Sequence, residues 1–331
     1  MILAGDIGGT STRLAVFELR NGRLAPAGIE GVFSSAAYGN FSEVVRPFIA
    51  SRGLVFDHAC FGVAGPIRGG RSKISNLPWV IDARELSTVV GVNQVWLIND
   101  LEALAYGVGG LEAEDFLVLN EGARGARGNC AVIAAGTGLG EAGLYWDGHE
   151  HHPFACEGGH ADFAPRNELE MSLLQHLLAR FEHVSYERAL SGSGLYNIYQ
   201  FLRERTPGEE PAWLAEAMQH RGAPGAISTA ALAGTCAVCV GALDVFVSVY
   251  GAEAGNLALK VLALGGVYVG GGIAPKIAQK LRDGTFVEAF VTKGRMRTLL
   301  EAVPVRAILN EGAGLLGAAR YAVLRASLPA A

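Results

Sequence analysis

The stretch AGDIGGT at residues 4–10 joins a short apolar run to a glycine turn that carries an acid, Asp6. The stretch AAGTGLG at residues 134–140 repeats this form, because Gly9-Thr10 recurs as Gly136-Thr137 between two apolar runs. One tight hairpin turn explains a single copy equally well. Glycine turns let main-chain N–H groups point at an anion without a Cβ in the way. Two copies therefore predict two lobes that hold one polyphosphate, which is a nucleotide cleft.

A third glycine turn ends the stretch GGVYVGGG at residues 265–272. Glycines after a strand let an adenosine and its phosphates lie close to the backbone. The spacing differs from GxGxxG, which argues against a Rossmann dinucleotide site. The predicted nucleotide-binding residues of the three turns are Asp6, Gly8, Gly9, Thr10, Arg13, Gly136, Thr137, Gly138, Gly270, Gly271 and Gly272.

Length and composition bound the class of protein. A chain of 331 residues, half of them hydrophobic and 18% charged, predicts two compact domains or one split domain. A net charge of −5 gives no general attraction to nucleic acid. The apolar stretch Ala230–Leu243 stops at Asp244, too short to span a membrane, and the first six residues lack a basic signal-peptide region. Five cysteines, an odd number, favour free thiols and a cytoplasmic location.

Strand-like runs alternate with helical segments along the whole chain, which predicts an α/β sheet in each half. A glycine-rich segment, Gly107–Glu112, is the candidate hinge between the halves. The predicted strands include Ile2–Ala4, Leu14–Leu19, Ala59–Val63, Val95–Ile98, Phe116–Leu119, Cys130–Ala135, Gly143–Trp146 and Val267–Val269.

Polar residues follow one of these strands directly. Asn99-Asp100 closes the run Val95–Ile98, and ligands of open α/β sheets meet side chains at the carboxyl ends of strands. A kinase acting on an alcohol needs a carboxylate that accepts the hydroxyl proton. An ordinary helix N-cap is the structural alternative for Asp100.

A candidate sugar-binding wall lies further along. The segment EGGH at residues 157–160 combines an acceptor, a flexible turn and a two-way hydrogen bonder. A site that distinguishes sugar epimers must pair several hydroxyl groups, and Glu187 adds another acceptor. Asn76 lies in a further candidate loop.

The ordered set of these motifs resembles the sugar kinase, Hsp70 and actin superfamily, and within it the bacterial glucokinase family. Besides the glycine turns, Asn99-Asp100, the EGGH segment and YERALSG at residues 186–192 stand in family order over nearly the whole chain. The resemblance implies a two-lobed ribonuclease-H-like α/β fold of the actin and hexokinase type, with an interlobe cleft. It also implies a small domain, 1–110 completed by a C-terminal helix at 312–331, and a large domain, 111–311.

The implied activity is ATP-dependent phosphorylation of D-glucose to glucose 6-phosphate, feeding glycolysis, by a cytoplasmic homodimer. The resemblance makes Asp100 the catalytic base. Asp6 is the expected ligand of Mg²⁺, since Mg²⁺ binds through one or two carboxylates plus substrate phosphates. The expected ligands are ATP, Mg²⁺ and glucose, with no nucleic acid and no membrane partner. The implied glucose-binding residues are Asn99, Asp100, Glu157, His160, Glu187 and Asn76.

Two alternatives stay open at this point. The first is a kinase for another hexose, such as mannose or N-acetylglucosamine. The second is a catalytically silent sugar-sensing protein, although a regulator would need a helix-turn-helix extension before the motif at residue five. Glycine turns bind any phosphate chain, so ATP, ADP and polyphosphate are all candidate donors, and neither the breadth of sugar specificity nor the oligomeric state follows from the residues.

Histidines and cysteines near the sugar wall raise the question of zinc. The related ROK sugar kinases carry a cysteine-rich zinc motif after their glucose-binding histidine, whereas ADFAP at residues 161–165 has no cysteine. The sequence therefore predicts no zinc, and the His149–His152 cluster has no assigned role. Cys236 and Cys239 form a lone CxxC in an apolar run, typical of core packing. The residues that suggest zinc are His149, His151, His152, Cys156 and His160.

Overall fold

The computed structural model describes residues 1–74 and 77–327, so Asn76 lies outside the described residues. The chain divides into two compact units. Unit 1 comprises Met1–Ala113 together with Asn310–Ala331, and unit 2 comprises Glu114–Leu309.

The strands of unit 1 come first along the chain, followed by those of unit 2. They are β1 Ile2–Ile7, β2 Ser11–Arg20, β3 Arg23–Ser34, β4 His58–Val63, β5 Ile67–Arg68, β6 Arg71–Lys73, β7 Val80–Asp82, β8 Val95–Asn99, β9 Phe116–Asn120, β10 Cys130–Ala135, β11 Leu139–Trp146, β12 His151–Cys156, β13 Gly266–Gly270 and β14 Val305–Ile308.

The helices divide between the units in the same way, except that the last one returns to unit 1. They are α1 Ser42–Ala50, α2 Ala83–Val90, α3 Asp100–Val108, α4 Glu168–Leu178, α5 Gly192–Glu204, α6 Ala212–Arg221, α7 Ala223–Leu232, α8 Ala237–Val261, α9 Ala278–Leu281, α10 Thr285–Val291, α11 Arg297–Glu301 and α12 Ala313–Ser327.

One sheet topology occurs in both units. In unit 1 the order is β3-β2-β1-β4-β8, with an antiparallel meander of β1 to β3 and with β4 and β8 parallel to β1. In unit 2 the order is β12-β11-β10-β13-β14-β9, with the same meander and parallel strands and with β9 added antiparallel at the edge. The predicted repeat of one strand–turn–strand motif is therefore confirmed.

The two copies differ by one residue in the turn. Ala4 pairs with Ala15 in unit 1, and Val132 pairs with Ala142 in unit 2. The outgoing strands thus keep the spacing seen in the sequence, while the incoming strands are shifted by one position. The second turn is shorter by that one residue.

Glycines let α3 and α12 pack closely on one face of the unit 1 sheet. A Cβ on Gly107 would collide with the carbonyl oxygen of Ala313, and a Cβ on Gly317 would collide with that of Ala103. The predicted hinge that began at Gly107 is therefore wrong at that residue, which is buried inside α3. The division between the units follows Ala113.

The core of unit 2 is built around α8, which packs against α5, α7 and α10. This helix of 25 residues is long and apolar enough to cross a membrane by length and composition, and 61% of its most apolar window is buried inside the structure. The charge that closes the apolar stretch at Asp244 does not end the helix, because this half-exposed carboxylate pairs with Lys280 and the helix continues to Val261.

Candidate active site

Parallel strands bring the polar residues of unit 1 to one edge of its sheet. The strands β1, β4 and β8 run in the same direction, with Ile7 in register with Val63 and Val63 in register with Asn99. Neighbouring strands lie about 4.8 Å apart, so Asn99 is roughly 10 Å from Ile7 at the same level of the sheet. The first glycine turn and Asn99-Asp100 therefore share one edge.

Hydrogen bonds to Ser11 and Ser35 stabilise the first glycine turn. The N–H of Gly8 donates to the carbonyl oxygen of Ser11 at 3.0 Å, and the hydroxyl of Ser35 donates to the carbonyl oxygen of Gly8 at 2.9 Å. Ser35 also hydrogen-bonds the buried hydroxyl of Thr12 at 3.0 Å. Thr10 is exposed at the tip of the turn.

Asp6 lies opposite Arg13 across the β1–β2 pair. Burial raises the pKa of the Asp6 carboxyl, and the charge of Arg13 acts in the opposite direction. The guanidinium of Arg13 donates to the carbonyl oxygen of Glu311 at 2.9 Å, close to the start of α12. A partly buried carboxylate beside a phosphate-sized turn is a hard oxygen donor of the type that Mg²⁺ prefers.

Asn99, not Asp100, occupies the N-cap position of α3. The side-chain oxygen of Asn99 accepts from the N–H of Leu101 at 2.9 Å and from that of Glu102 at 3.3 Å. Asp100 is the first residue of the helix, and its Oδ1 also accepts from the N–H of Leu101, at 3.0 Å. The capping role that was the structural alternative for Asp100 therefore belongs mainly to its neighbour.

In unit 2 the second and third glycine turns follow adjacent parallel strands, β10 and β13. Gly271 has a positive φ of 82°, and a Cβ there would collide with the carbonyl oxygen of Ala135. The N–H of Ile273 donates to that same oxygen at 3.2 Å. The third turn thus packs directly against the end of β10, and only glycine fits at its tightest point.

Tyr250 holds these two strand ends together, and no sequence motif pointed to it. Its hydroxyl accepts from the N–H of Ala135 at 3.0 Å and lies 3.3 Å from the carbonyl oxygen of Ile133 and 3.2 Å from that of Gly270. The side chain is fully buried on α8, and burial raises the pKa of its hydroxyl. An apolar helix with one tyrosine was the available signal.

The EGGH segment forms one turn of 3₁₀ helix at Gly158–His160, not the flexible turn that the sequence suggested. Both positions require glycine because neighbouring atoms lie too close for a Cβ. A Cβ on Gly158 would collide with the side chain of Glu141, and a Cβ on Gly159 would collide with the carbonyl oxygen of Leu139. The turn leaves the side chains of Glu157 and His160 exposed.

His160 and Glu187 line one cavity of about 340 Å³ within unit 2. The Oε2 of Glu187 also accepts from the N–H of Leu139 at 3.0 Å, directly after the second glycine turn. The structure thus brings two of the predicted sugar-side residues together, whereas Glu157 is not part of this lining. The complete lining is His160, Arg180, Phe181, Glu182, His183, Ser185, Glu187 and Arg188.

The histidine cluster forms a surface turn between β11 and β12. The carboxylate of Asp147 accepts from the N–H groups of His149 and Glu150 and from the ring of His152, at 2.7 to 2.8 Å. These bonds lower the pKa of Asp147 and raise that of His152. Within residues 1–74 and 77–327, the grouping of potential metal ligands is Asp147, Glu150 and His152, all exposed, and it contains neither His160 nor a cysteine.

The CxxC pair has a structural role. The Sγ of Cys236 accepts from the N–H of Cys239 at 3.3 Å, so Cys236 is the N-cap of α8. Both thiols are buried, and the five cysteines of the chain are free. This local arrangement is consistent with the expected packing role.

Comparison with known proteins gives one consistent family. The family model described as Glucokinase matches residues 3–325. A glucokinase of Nostoc sp. is 42% identical over 334 residues, covering 96% of this chain and 98% of the relative. A solved glucokinase from an Antarctic psychrotroph has a TM-score of 0.80 at 32% identity, covering 98% of each chain.

A more distant structure shows the same fold. The ROK family glucokinase from Streptomyces griseus, solved with glucose and AMPPNP, has a TM-score of 0.68 at 22% identity and covers 98% of this chain and 99% of the other. Together with the repeated sheet topology, these likenesses confirm the predicted α/β class of the actin and hexokinase type.

Proposed function

The chain belongs to the glucokinase family, and we infer that it transfers the γ-phosphoryl group of ATP to the 6-hydroxyl of D-glucose. The observation that carries this conclusion is the match to glucokinases along the whole chain, with the phosphate turn and Asn99-Asp100 at one edge of the unit 1 sheet. The product is glucose 6-phosphate, a substrate of glycolysis.

Asp100 is the proposed base. It accepts the proton of the 6-hydroxyl as the phosphoryl group arrives, and removal of a general base usually costs about 10²–10⁴ in rate. Its place in the first turn of α3 favours a negative charge, because the N-terminus of a helix carries a partial positive charge. The oxygen of Asn99 caps the helix, which leaves its side-chain amide nitrogen as the proposed donor to a sugar hydroxyl.

The proposed glucose wall in unit 2 consists of Glu157, His160 and Glu187. The support is the shared cavity of His160 and Glu187 and the exposed side chain of Glu157 on the same 3₁₀ turn as His160. Carboxylates and an imidazole accept and donate as sugar hydroxyls require. Asn76, which lies outside the described residues, is proposed for the same substrate.

The three glycine turns are proposed to hold the nucleotide. Their N–H groups and the hydroxyls of Thr10 and Thr137 would contact the phosphates. Asp6 fits Mg²⁺ because its carboxylate lies beside the first turn, and Mg²⁺ held there would neutralise charge on the transferring phosphates. Arg13, held by Glu311, adds a positive charge on the same side.

A coupled assay across sugars and donors tests this function. Glucose with ATP and Mg²⁺ is expected to give the highest kcat/KM, ahead of mannose and N-acetylglucosamine as acceptors and of ADP and polyphosphate as donors. Activity confined to another hexose would contradict the proposal. A protein that binds glucose but never forms glucose 6-phosphate would make the chain a sugar-sensing member of the family.

A cytoplasmic homodimer without zinc is part of the same proposal. Free cysteines, four of the five buried, suit a reducing compartment. The resemblance to bacterial glucokinases supports the dimer and the lack of zinc. Light scattering after gel filtration tests the homodimer. Elemental analysis tests the lack of zinc, and about one zinc per chain would contradict it.

A further inference from the structure

Glu141 is a buried acid that the roles above do not use. It lies on β11 with 1% of its surface exposed. No donor among the described residues reaches its Oε1. Burial of an ionised carboxylate without a partner is costly, so such a group is stable mainly in its neutral form.

On one side, Glu141 supports the 3₁₀ turn of the proposed glucose wall. The Oε2 atom lies so close to Gly158 that any Cβ there would collide with it. The next strand is attached to the same residue, because Glu141 pairs with Cys156 and its carbonyl oxygen accepts from the Cys156 thiol at 3.4 Å. The position of Glu157 and His160 therefore depends on where this carboxyl lies.

On the other side, Glu253 of α8 is a fully buried acid, and its charge and a side-chain hydrogen bond to it contribute to the raised pKa of Glu141. The Oε2 of Glu253 accepts from the side-chain N–H₂ of Asn256 at 2.7 Å, and the same amide group donates to the hydroxyl of Tyr186 at 3.0 Å. Tyr186 directly precedes Glu187. Glu253 is thus linked through Asn256 to the turn that carries Glu187.

The positive charges near Glu141 and Glu253 do not keep both acids ionised, so one of the two acids can hold a proton. Lys260 contacts Oε1 of Glu253 at 3.1 Å but is half exposed, and Lys293 contacts the Asn256 oxygen at 2.5 Å. Burial, together with the charge of Glu253, raises the pKa of Glu141 to about 8. Burial and Arg166 lower the pKa of Lys293 to about 8 as well. The other titratable groups facing Glu141 are Tyr250 and Cys156.

We propose that protonated Glu141 is a positioning residue for glucose, which donates a hydrogen bond to Glu253 and so holds the Glu157–His160 turn and the Tyr186-Glu187 turn in their binding geometry. The inference rests on the proposed function, since it concerns the glucose wall. Loss of the proton places two negative charges side by side in the core and separates the two segments. Glucose affinity then falls as the pH rises, while ATP binding at the phosphate turns changes less.

The test is glucose binding by titration calorimetry between pH 6.5 and 9.5, with ATP binding measured in parallel. Wild type is expected to lose about tenfold in glucose affinity across this range, which equals about 1.4 kcal/mol. Glu141→Gln keeps a neutral donor towards Glu253, so its glucose affinity should stay within about twofold of wild type at pH 6.5 and remain flat up to pH 9.5. Glu141→Leu lacks the donor and should bind glucose at least about fivefold more weakly at every pH.

Two results would overturn the inference. One is a Glu141→Gln variant that loses glucose affinity with pH as wild type does, which would assign the titration to Lys293 or another group. The other is a folded Glu141→Leu variant with wild-type glucose affinity. Wild type that binds no glucose even at pH 6.5 is a separate outcome, which contradicts the proposed function and the inference with it.

Discussion

The carboxylate of Glu187 accepts a hydrogen bond from the backbone N–H of Leu139, with 3.0 Å between Oε2 and N. Leu139 directly follows the second glycine turn, and Glu187 lines the cavity that also contains His160. A residue proposed for the sugar is thereby attached to a turn proposed for the nucleotide. Changes in that turn are expected to affect both ligands.

Substitution of Gly138 tests this attachment. A Cβ there would lie 2.5 Å from Oε2 of Glu187, so Gly138→Ala should displace the carboxylate and weaken glucose binding by roughly 5- to 150-fold. Gly136→Ala is the matched control for glucose, because a Cβ on Gly136 has no described atom within 4 Å. Titration of glucose into both variants decides, and equal glucose affinities would contradict the coupling.

Substitution of Asp100 tests the base. Asp100→Asn keeps the size and a hydrogen bond but accepts no proton, so kcat should fall by about 10²–10⁴ while glucose and ATP still bind. Asn99→Ala is the comparison for folding, since loss of this N-cap should lower the stability by about 1 kcal/mol. More than a tenth of wild-type turnover in Asp100→Asn at saturating substrates would show that another group takes the proton.

His160→Ala tests the glucose wall. Loss of a hydrogen-bonding partner that bound glucose would bury commonly costs about 1–3 kcal/mol, so the KM for glucose should rise far more than the KM for ATP. His152→Ala, in the surface turn around Asp147, is expected to change neither constant. Steady-state kinetics on both variants measure the difference, and equal increases for the two substrates would make His160 a folding residue.

Tyr250→Phe removes the hydroxyl that joins the ends of β10 and β13. The N–H of Ala135 loses a partner in a buried site, so stability should fall by about 1–3 kcal/mol. ATP affinity should fall as well, because two glycine turns follow these strand ends. Denaturant unfolding and ATP titration provide the two measurements. A variant with unchanged stability would show that the hydroxyl contributes little.

The pKa of Glu141 predicts how stability depends on pH. Its folded value of about 8 lies above its ordinary value of 4.5, so the folded state holds a proton that the unfolded state releases. Stability from this group is complete below pH 4.5 and is lost as the pH rises towards 8, at up to about 1.4 kcal/mol per pH unit. Glu141→Gln cannot release a proton, so its melting temperature should gain on wild type from pH 5 to pH 8. A constant difference would contradict the shift.

Local patterns accounted for much of the fold and of the candidate site. The hairpin around Gly8 and the one around Gly136 each depend on residues within about ten positions, so turn chemistry and strand propensity were sufficient to predict them. Asn99 and Asp100 were predicted because a strand ends there and strand ends carry sites. The resemblance of the ordered motifs then indicated the family.

Other features depend on residues far apart in the chain. Gly158 and Gly159 suggested a flexible turn, yet they are there because Glu141 and Leu139 leave no space for a Cβ. The hydroxyl of Tyr250 reaches a strand 115 positions away. One acid on β11 resembles any charged residue of a strand until its burial against Glu253 is known.

The sequence by itself determined the two glycine-turn hairpins, the α/β class and the chemistry available to a sugar kinase, because each depends on short-range backbone preferences and on residue type. Only the tertiary structure decided which groups meet: the Glu187 carboxylate with the N–H of Leu139, the Tyr250 hydroxyl with the ends of two strands, and Glu141 with Glu253. The physical reason is that burial and charge–charge distance set these interactions. Both quantities arise only when distant segments pack together.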